Sequence, residues 1–169
     1  MSIIHKWKNG LQKLTNKILT KLDTLKGNAQ SIAKGFATGA AVSFTPFVGF
    51  HAMLSLIIAK MTKQSSTAAL LGTVVGNPWT FPLIWYGDLH LGRLLLQREQ
   101  ITDSINFIAL FKEMFHTLIM LDFDRFFSDI YPVFFPMLIG CIPLYAIVWI
   151  VLSRLLSKAL IKRKSGGEQ

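Results

Sequence analysis

The sequence predicts an all-α integral membrane protein, and three observations support this fold class. Apolar residues make up 51% of the 169 residues, and charged residues make up 16%. Soluble domains typically contain about 25% charged residues. Three segments, 35–59, 64–87 and 130–152, contain no Lys, Arg, Asp or Glu. A helix needs about 20 apolar residues to cross the hydrocarbon core of a bilayer, so each segment is long enough to span it.

The positive charge is concentrated at the two ends of the chain. The net charge is +9, with seven lysines in residues 1–34 and five Lys or Arg from Arg154 onward. Residues 88–129 instead hold seven acidic and four basic residues. Basic ends that flank apolar segments are typical of the cytoplasmic side of a membrane protein. No basic and aromatic strip of an RNA-binding sheet is visible, so we expect anionic lipid of the inner leaflet, and not nucleic acid, as the partner.

Residues 1–30 are predicted to form a basic amphipathic helix. Apolar residues recur every three or four positions between 3 and 25, and lysines fall largely between them. Each lysine near an anionic surface contributes about 1 kcal/mol of binding, which favours a helix lying on the membrane. The alternative is a helix packed on its own protein or on a partner. The side chains expected at the lipid surface are Lys6, Trp7, Lys8, Lys13, Lys17 and Lys21.

The first two uncharged segments each contain a predicted helix break. Each begins with a Gly-x-x-x-Gly pair, at 35–39 and 72–76, which lets helix backbones approach closely in lipid. Each then meets proline and glycine, TPFVG at 45–49 and GNP at 76–78, with Pro82 following. The freed carbonyls cannot face lipid. Paired broken helices are typical of transporters. The alternative is two kinked, tightly packed spans without a ligand.

The C-terminal part predicts one plain transmembrane helix over residues 130–157, followed by a basic, partly disordered tail over 158–169. Residues 97–129 are predicted to be an amphipathic helical connector. A span there would place Lys112 and Glu113 at its centre, at a cost of about 2.5–3.5 kcal/mol each. The apolar face of this connector is expected to carry Ile105, Ile108, Phe111, Phe115, Leu118 and Ile119.

Two motifs within residues 33–96 resemble a known bacterial family. The first motif, Pro-x-x-Gly-x-His, is supplied by Pro46, Gly49 and His51. The second motif, Gly-Thr-x-x-x-Asn-Pro-x-Thr, is supplied by Gly72, Thr73, Asn77, Pro78 and Thr80. The stretch is similar to the domain of unknown function 2062, DUF2062. The linker departs from that family, because it reads Lys-Gln-Ser at 63–65 where Arg-x-Asn is frequent.

The resemblance implies a bacterial inner-membrane protein with a membrane core over residues 33–96, and it implies no activity. The eight residues of the two motifs are the candidate ligand or pathway residues. His51 is a titratable side chain in an apolar segment, so it is a candidate proton carrier or ligand contact, or else it donates to a carbonyl freed by Pro46. Asn77 is expected to cap a following half-helix with Pro78 at the first helical position, and such a helix start also attracts anions.

No catalytic constellation is visible in the sequence. Asp88 and His90 are too few for a metal site, and no phosphate loop, Gly-x-Ser-x-Gly motif or carboxylate pair is present. We therefore expect no enzyme activity, no catalytic residue, no metal and no cofactor.

The charge pattern also predicts the topology. If one broken segment is re-entrant and turns back, both basic ends lie in the cytoplasm, which satisfies the positive-inside rule. We therefore expect a multi-pass protein with an even number of full crossings. Two function classes remain. One is a small transporter or permeation module, expected to be a homo-oligomer or to pair with another membrane protein. The alternative is a structural or adaptor protein that packs partners and lipid without transport.

Overall fold

The computed structural model describes residues 2–47, 49–98 and 106–166. These residues form helices and no strand, which confirms the all-α class. A 3₁₀ turn spans Thr73–Val75, and a π-helical turn spans Phe126–Ile130. The α-helices are α1 (Ser2–Asp23), α2 (Ala29–Val42), α3 (His51–Met61), α4 (Ser66–Gly72), α5 (Phe81–Leu95), α6 (Phe107–Met120), α7 (Phe123–Arg125) and α8 (Tyr131–Gly166).

The first two apolar segments are each divided between two helices. In the first segment, α2 ends at Val42 and α3 begins at His51. In the second, the 3₁₀ turn after α4 ends at Val75 and α5 begins at Phe81. Gly49 has a φ of +87°, a backbone conformation that glycine adopts without strain. The longest of these four helices has 15 residues, fewer than the roughly 20 of a crossing helix. The re-entrant path stays a prediction.

Glycines bring α2 and α4 into backbone contact. A Cβ added to Gly39 would collide with the carbonyl of Ala69, and one added to Gly72 would collide with the carbonyl of Phe36. Gly35, one turn before Gly39, lies equally close to the backbone that precedes α4. Three of the four glycines that the sequence pairs by spacing therefore lie at one crossing, where any side chain would separate the backbones.

The C-terminal helix is the one helix of the described residues that is long and apolar enough to span a membrane. Together with α7 and the π-helical turn before it, α8 forms a continuous helical stretch over Phe123–Ser165, and 22% of its most apolar window is buried inside the protein. It is longer than expected, because the basic stretch that follows residue 157 continues the helix to Gly166. Leu160 explains this continuation, since its side chain is fully buried against α1. The predicted disordered residues 167–169 lie outside the described part of the chain.

The two basic ends of the chain lie together. Leu22 of α1 packs in one apolar cluster with Leu156 and Leu160 of α8. The Arg163 guanidinium donates a hydrogen bond to the Asp23 carboxylate at 3.3 Å. The C-terminal half of α1 therefore packs on its own protein, which is the alternative to a helix that only lies on the membrane.

The lysines of this half of α1 remain exposed. Lys13, Lys17 and Lys21 all reach the protein surface, and their contact with lipid stays a prediction. The side chains of Lys6, Trp7 and Lys8 lie outside the described residues, and the expectation for them stays a prediction.

The predicted apolar face of α6 is only partly buried. Of the residues predicted on that face, Phe111 is buried, whereas Ile108, Phe115 and Ile119 are exposed. Phe107 and Met114 are buried beside Phe111. The helix carries apolar residues on both sides, and its neighbour selects between them. Trp85 of α5 lies 4.4 Å from Phe111 and 5.8 Å from Phe107, measured between ring centroids. Aromatic packing thus decides which side of α6 faces the core.

Candidate functional site

The two helix breaks contact each other, and we call residues 43–51 and 72–81 the break junction. The Ser43 hydroxyl donates to the carbonyl of Thr73 at 3.3 Å. A Cβ on Gly76 would lie 2.6 Å from the Cβ of Ser43, so this glycine packs against a side chain and not against a helix backbone. The His51 ring stacks on Phe81 with 5.3 Å between centroids. The motifs that the sequence places 21 or more residues apart thereby form one site.

His51 is held by its own segment. Its Nε2 lies 3.1 Å from the carbonyl oxygen of Thr45, and the side chain is 8% exposed. A carbonyl oxygen only accepts, so this geometry assigns the proton to Nε2. The hydrogen bond satisfies the carbonyl directly before buried Pro46. The carbonyl that a proline frees lies four residues back, and here that carbonyl, of Val42, accepts from the Thr45 hydroxyl at 2.7 Å.

Asn77 organises the turn that leads into α5. Its side-chain oxygen accepts from the backbone N–H groups of Trp79 and Thr80 at 3.0 and 3.1 Å. The Thr80 hydroxyl donates to the carbonyl of Val75 at 2.8 Å. These bonds form a turn before α5, whose own N-cap is Thr80 without a side-chain hydrogen bond. The expected cap by Asn77 and the expected position of Pro78 are therefore wrong, because α5 begins one turn later and Pro82 occupies its first turn.

The remaining candidates are engaged in the fold. Pro46 is fully buried, and the Thr73 hydroxyl donates to the carbonyl of Leu70 at 2.7 Å. Gly72 lies at the helix crossing, while the exposed Gly49 forms the turn between the two helices of the first segment. The structure thus brings the first-motif and second-motif residues together, and most of their polar atoms bind neighbouring backbone.

Asp88 is a residue whose importance the sequence did not show. Its side chain is fully buried, and neither carboxylate oxygen has a hydrogen-bond partner among the described residues. Burial raises its pKa to about 8, because ionising a carboxyl away from water is unfavourable. The one sequence signal was its position, directly after the uncharged segment 64–87.

Aromatic rings connect the break junction to the α5 face that carries Asp88. Phe81 stacks on Trp85 with 4.9 Å between centroids, and Asp88 follows three residues later on the same helix face. The backbone of Asp88 meets Gly140 of α8, where a Cβ would not fit. His51, Phe81, Trp85 and Asp88 therefore form a row of side chains, which ends at the crossing of α5 and α8.

His90 does not join Asp88 in a site. Its ring lies against Tyr86, with 4.1 Å between centroids. Within the described ranges, no three His, Cys, Asp or Glu side chains are grouped closely enough to hold a metal ion.

Comparison with known proteins identifies a relationship over nearly the whole chain. The family model described as an uncharacterized protein conserved in bacteria (DUF2062) matches residues 12–166. This match extends beyond both ends of the stretch that carries the two motifs. No curated protein and no solved structure matches the chain significantly.

Proposed function

We propose that this chain, which belongs to the bacterial DUF2062 family, is a structural or adaptor protein of the inner membrane that docks anionic lipid at its basic end. In this proposal α8 anchors the chain in the bilayer, and the glycine-packed helices form a rigid body beside it. The protein has no catalytic role. Its partners are anionic lipids and a second membrane protein or a second copy of the chain.

The observation that carries the proposal is the contact between the two basic ends. Arg163 binds Asp23, and the Lys164 ammonium donates to the carbonyl of Gly27 at 2.9 Å. The basic end of α8 and the lysines of α1 consequently share one side of the molecule. Basic residues next to an apolar helix favour the cytoplasmic face of the membrane, where they attract anionic headgroups.

The break junction supports the same proposal. The His51 Nε2 and the Asn77 side-chain oxygen both bind backbone of their own segments. Groups that satisfy freed backbone atoms stabilise a broken helix without any ligand. The polar residues of the two motifs therefore suit a packing role.

Both termini are expected on the cytoplasmic side. Reporter enzymes that are active on only one side of the membrane, fused before Ser2 and after Gly166, should both report the cytoplasm, because α1 and the end of α8 are in contact. A third fusion after Ser104 serves as the control for the opposite side. A periplasmic C-terminus combined with a cytoplasmic N-terminus would contradict the proposal.

A second candidate function, a permeation module, is favoured by one observation. The row from His51 to Asp88 joins two titratable side chains through the stacked rings of Phe81 and Trp85. Titratable groups buried in membrane proteins are frequent in proton and ion pathways. This function would require several copies, since one chain has too few helices to enclose a pathway.

Asn77→Ala separates the two candidate functions. Losing an acceptor for two backbone N–H groups should cost about 1 kcal/mol, which corresponds to roughly 2–4 °C in Tm for a chain of this size. If the role is packing, neither the wild type nor the variant conducts ions above the level of protein-free liposomes. Asn77→Asp keeps the acceptor and is the matched control. Loss of flux at an unchanged Tm would overturn the adaptor proposal in favour of permeation.

A further inference from the structure

A groove lies between α1 and the chain around residues 71–77, at the basic end of the molecule. Its volume is about 540 Å³. This falls within the roughly 300–1,000 Å³ that is typical of small-molecule sites. Lys17 and Lys21 of α1 line one side, and Leu71 and Val74 line the opposite side.

The inner walls of the groove are apolar. Leu22 and Phe36 line it and are buried in the cluster that also holds Leu160 of α8. Ile18 and Leu71 also line the groove and pack against the edge of that cluster. Apolar surface of this kind binds a hydrocarbon chain, because the chain leaves water on entering.

The charges that border the groove are positive. Lys17 and Lys21 are exposed and lie one helical turn apart, so their ammonium groups repel each other unless an anion lies between them. None of the described residues that line the groove is acidic. Asp23, the one acidic residue in the sequence of α1, is bound by Arg163, and the salt bridges of the described residues include neither lysine. A groove with apolar walls and two cations at its side fits an anionic amphiphile.

We propose that this groove binds one anionic phospholipid, with an acyl chain along the apolar walls and the phosphate between Lys17 and Lys21. The bilayer is the source of this ligand, because the groove lies beside the end of α8, the helix that is apolar enough to span it. Lysines at the end of such a helix reach the headgroup layer while their stems cover apolar surface. The inference rests on the proposed function, since it takes α8 as the membrane anchor.

Retention of lipid by the full-length protein tests the proposal. The protein in nonionic detergent is titrated with equimolar phosphatidylglycerol and phosphatidylcholine, and the bound lipids are counted by native mass spectrometry. We expect one phosphatidylglycerol per chain. Lys17→Gln combined with Lys21→Gln should weaken its binding roughly 10- to 30-fold, the effect of two lysines at an anionic headgroup. Lys13→Gln combined with Lys26→Gln changes the net charge equally outside the groove and should retain the lipid.

A second pair of variants tests the acyl chain. Val74 is 69% exposed, so Val74→Trp fills the groove without disturbing the core and should abolish retention. Leu70→Trp adds the same side chain outside the groove and should not. Equal retention by Val74→Trp and Leu70→Trp, or by the two lysine pairs, would overturn the proposal. Displacement of the lipid by inorganic phosphate alone would overturn it too, because the acyl chain would then contribute nothing.

Vesicle flotation distinguishes this inference from the proposed function. A protein that floats with phosphatidylcholine vesicles but retains no phosphatidylglycerol in detergent refutes the groove site and leaves the anchoring by α8 intact. A protein that does not float with any vesicle refutes the anchoring itself. Equal Tm values for all four variants, measured in the same detergent, exclude misfolding as the cause of lost retention.

Discussion

Gly39→Ala should destabilise the protein by about 3 kcal/mol, one of the largest effects expected from a single added methyl group. The new Cβ would collide with the carbonyl of Ala69 and come within 2.9 Å of the Thr73 backbone nitrogen. Both obstacles are backbone atoms, so α2 and α4 must move apart to make room. Thermal unfolding in detergent measures the effect, and a fall in Tm of roughly 6–12 °C is expected for a chain of this size.

Gly87→Ala is the matched control. Gly87 also lies inside a helix, but its added Cβ would meet only the Cδ1 of Leu144, at 3.9 Å, which is ordinary contact. Alanine is favoured over glycine inside a helix by about 1 kcal/mol, so this variant should be neutral or stabilised. Similar Tm values for Gly39→Ala and the wild type would show that α2 and α4 do not cross at their glycines.

The stability of the wild type should fall by roughly 3–4 kcal/mol as the pH rises from about 5 to about 8. Asp88 is the cause. Its pKa is about 8 in the folded protein, against an ordinary value of 3.8 in the unfolded chain. Between these values the unfolded chain loses the proton and the folded protein keeps it, so rising pH favours unfolding. The loss of stability is absent below the pKa of Asp88 in the unfolded chain and complete above its pKa in the folded protein.

Asp88→Asn should remove this pH dependence, because an amide does not titrate. Melting curves at several pH values measure the difference, and at pH 8 the variant should be more stable than the wild type. Asp129→Asn changes an exposed carboxylate on the same chain and should leave the wild-type profile unchanged. A wild-type Tm that is constant over this range, or an Asn variant with the wild-type slope, would show that Asp88 reaches water or a partner.

The Gly-x-x-x-Gly spacings predicted that helix backbones approach each other closely. Spacing alone does not show which backbone each glycine contacts. Gly35, Gly39 and Gly72 meet in one crossing, whereas Gly76 lies in the second break against Ser43. The reason is that the first helical part of the second segment ends at Val75 and the next begins at Phe81, so Gly76 lies in neither helix. The glycine spacing can be read from a few neighbouring residues, whereas the residue at which the helix ends cannot.

The amphipathic pattern of α6 shows a second limit. Periodicity finds an apolar face, and α6 has apolar residues on more than one side, so the sequence alone cannot choose between them. The rings of Trp85 and Phe107 lie 5.8 Å apart, and this contact favours the side that carries Phe107. The other side of α6 is left at the surface, with Ile108 65% exposed.

The sequence by itself determined the all-α class, the apolar C-terminal helix, the basic ends and the family. These follow from composition and from patterns within about 20 residues, which is the range over which a helix or a span is specified. Only the tertiary structure decided that the two breaks touch, that the Asp88 carboxyl is buried with no hydrogen-bond partner in the described part of the chain, and that a groove forms beside Lys17 and Lys21. Each depends on contacts between residues distant in the chain, and these depend on how side chains pack and not on local spacing.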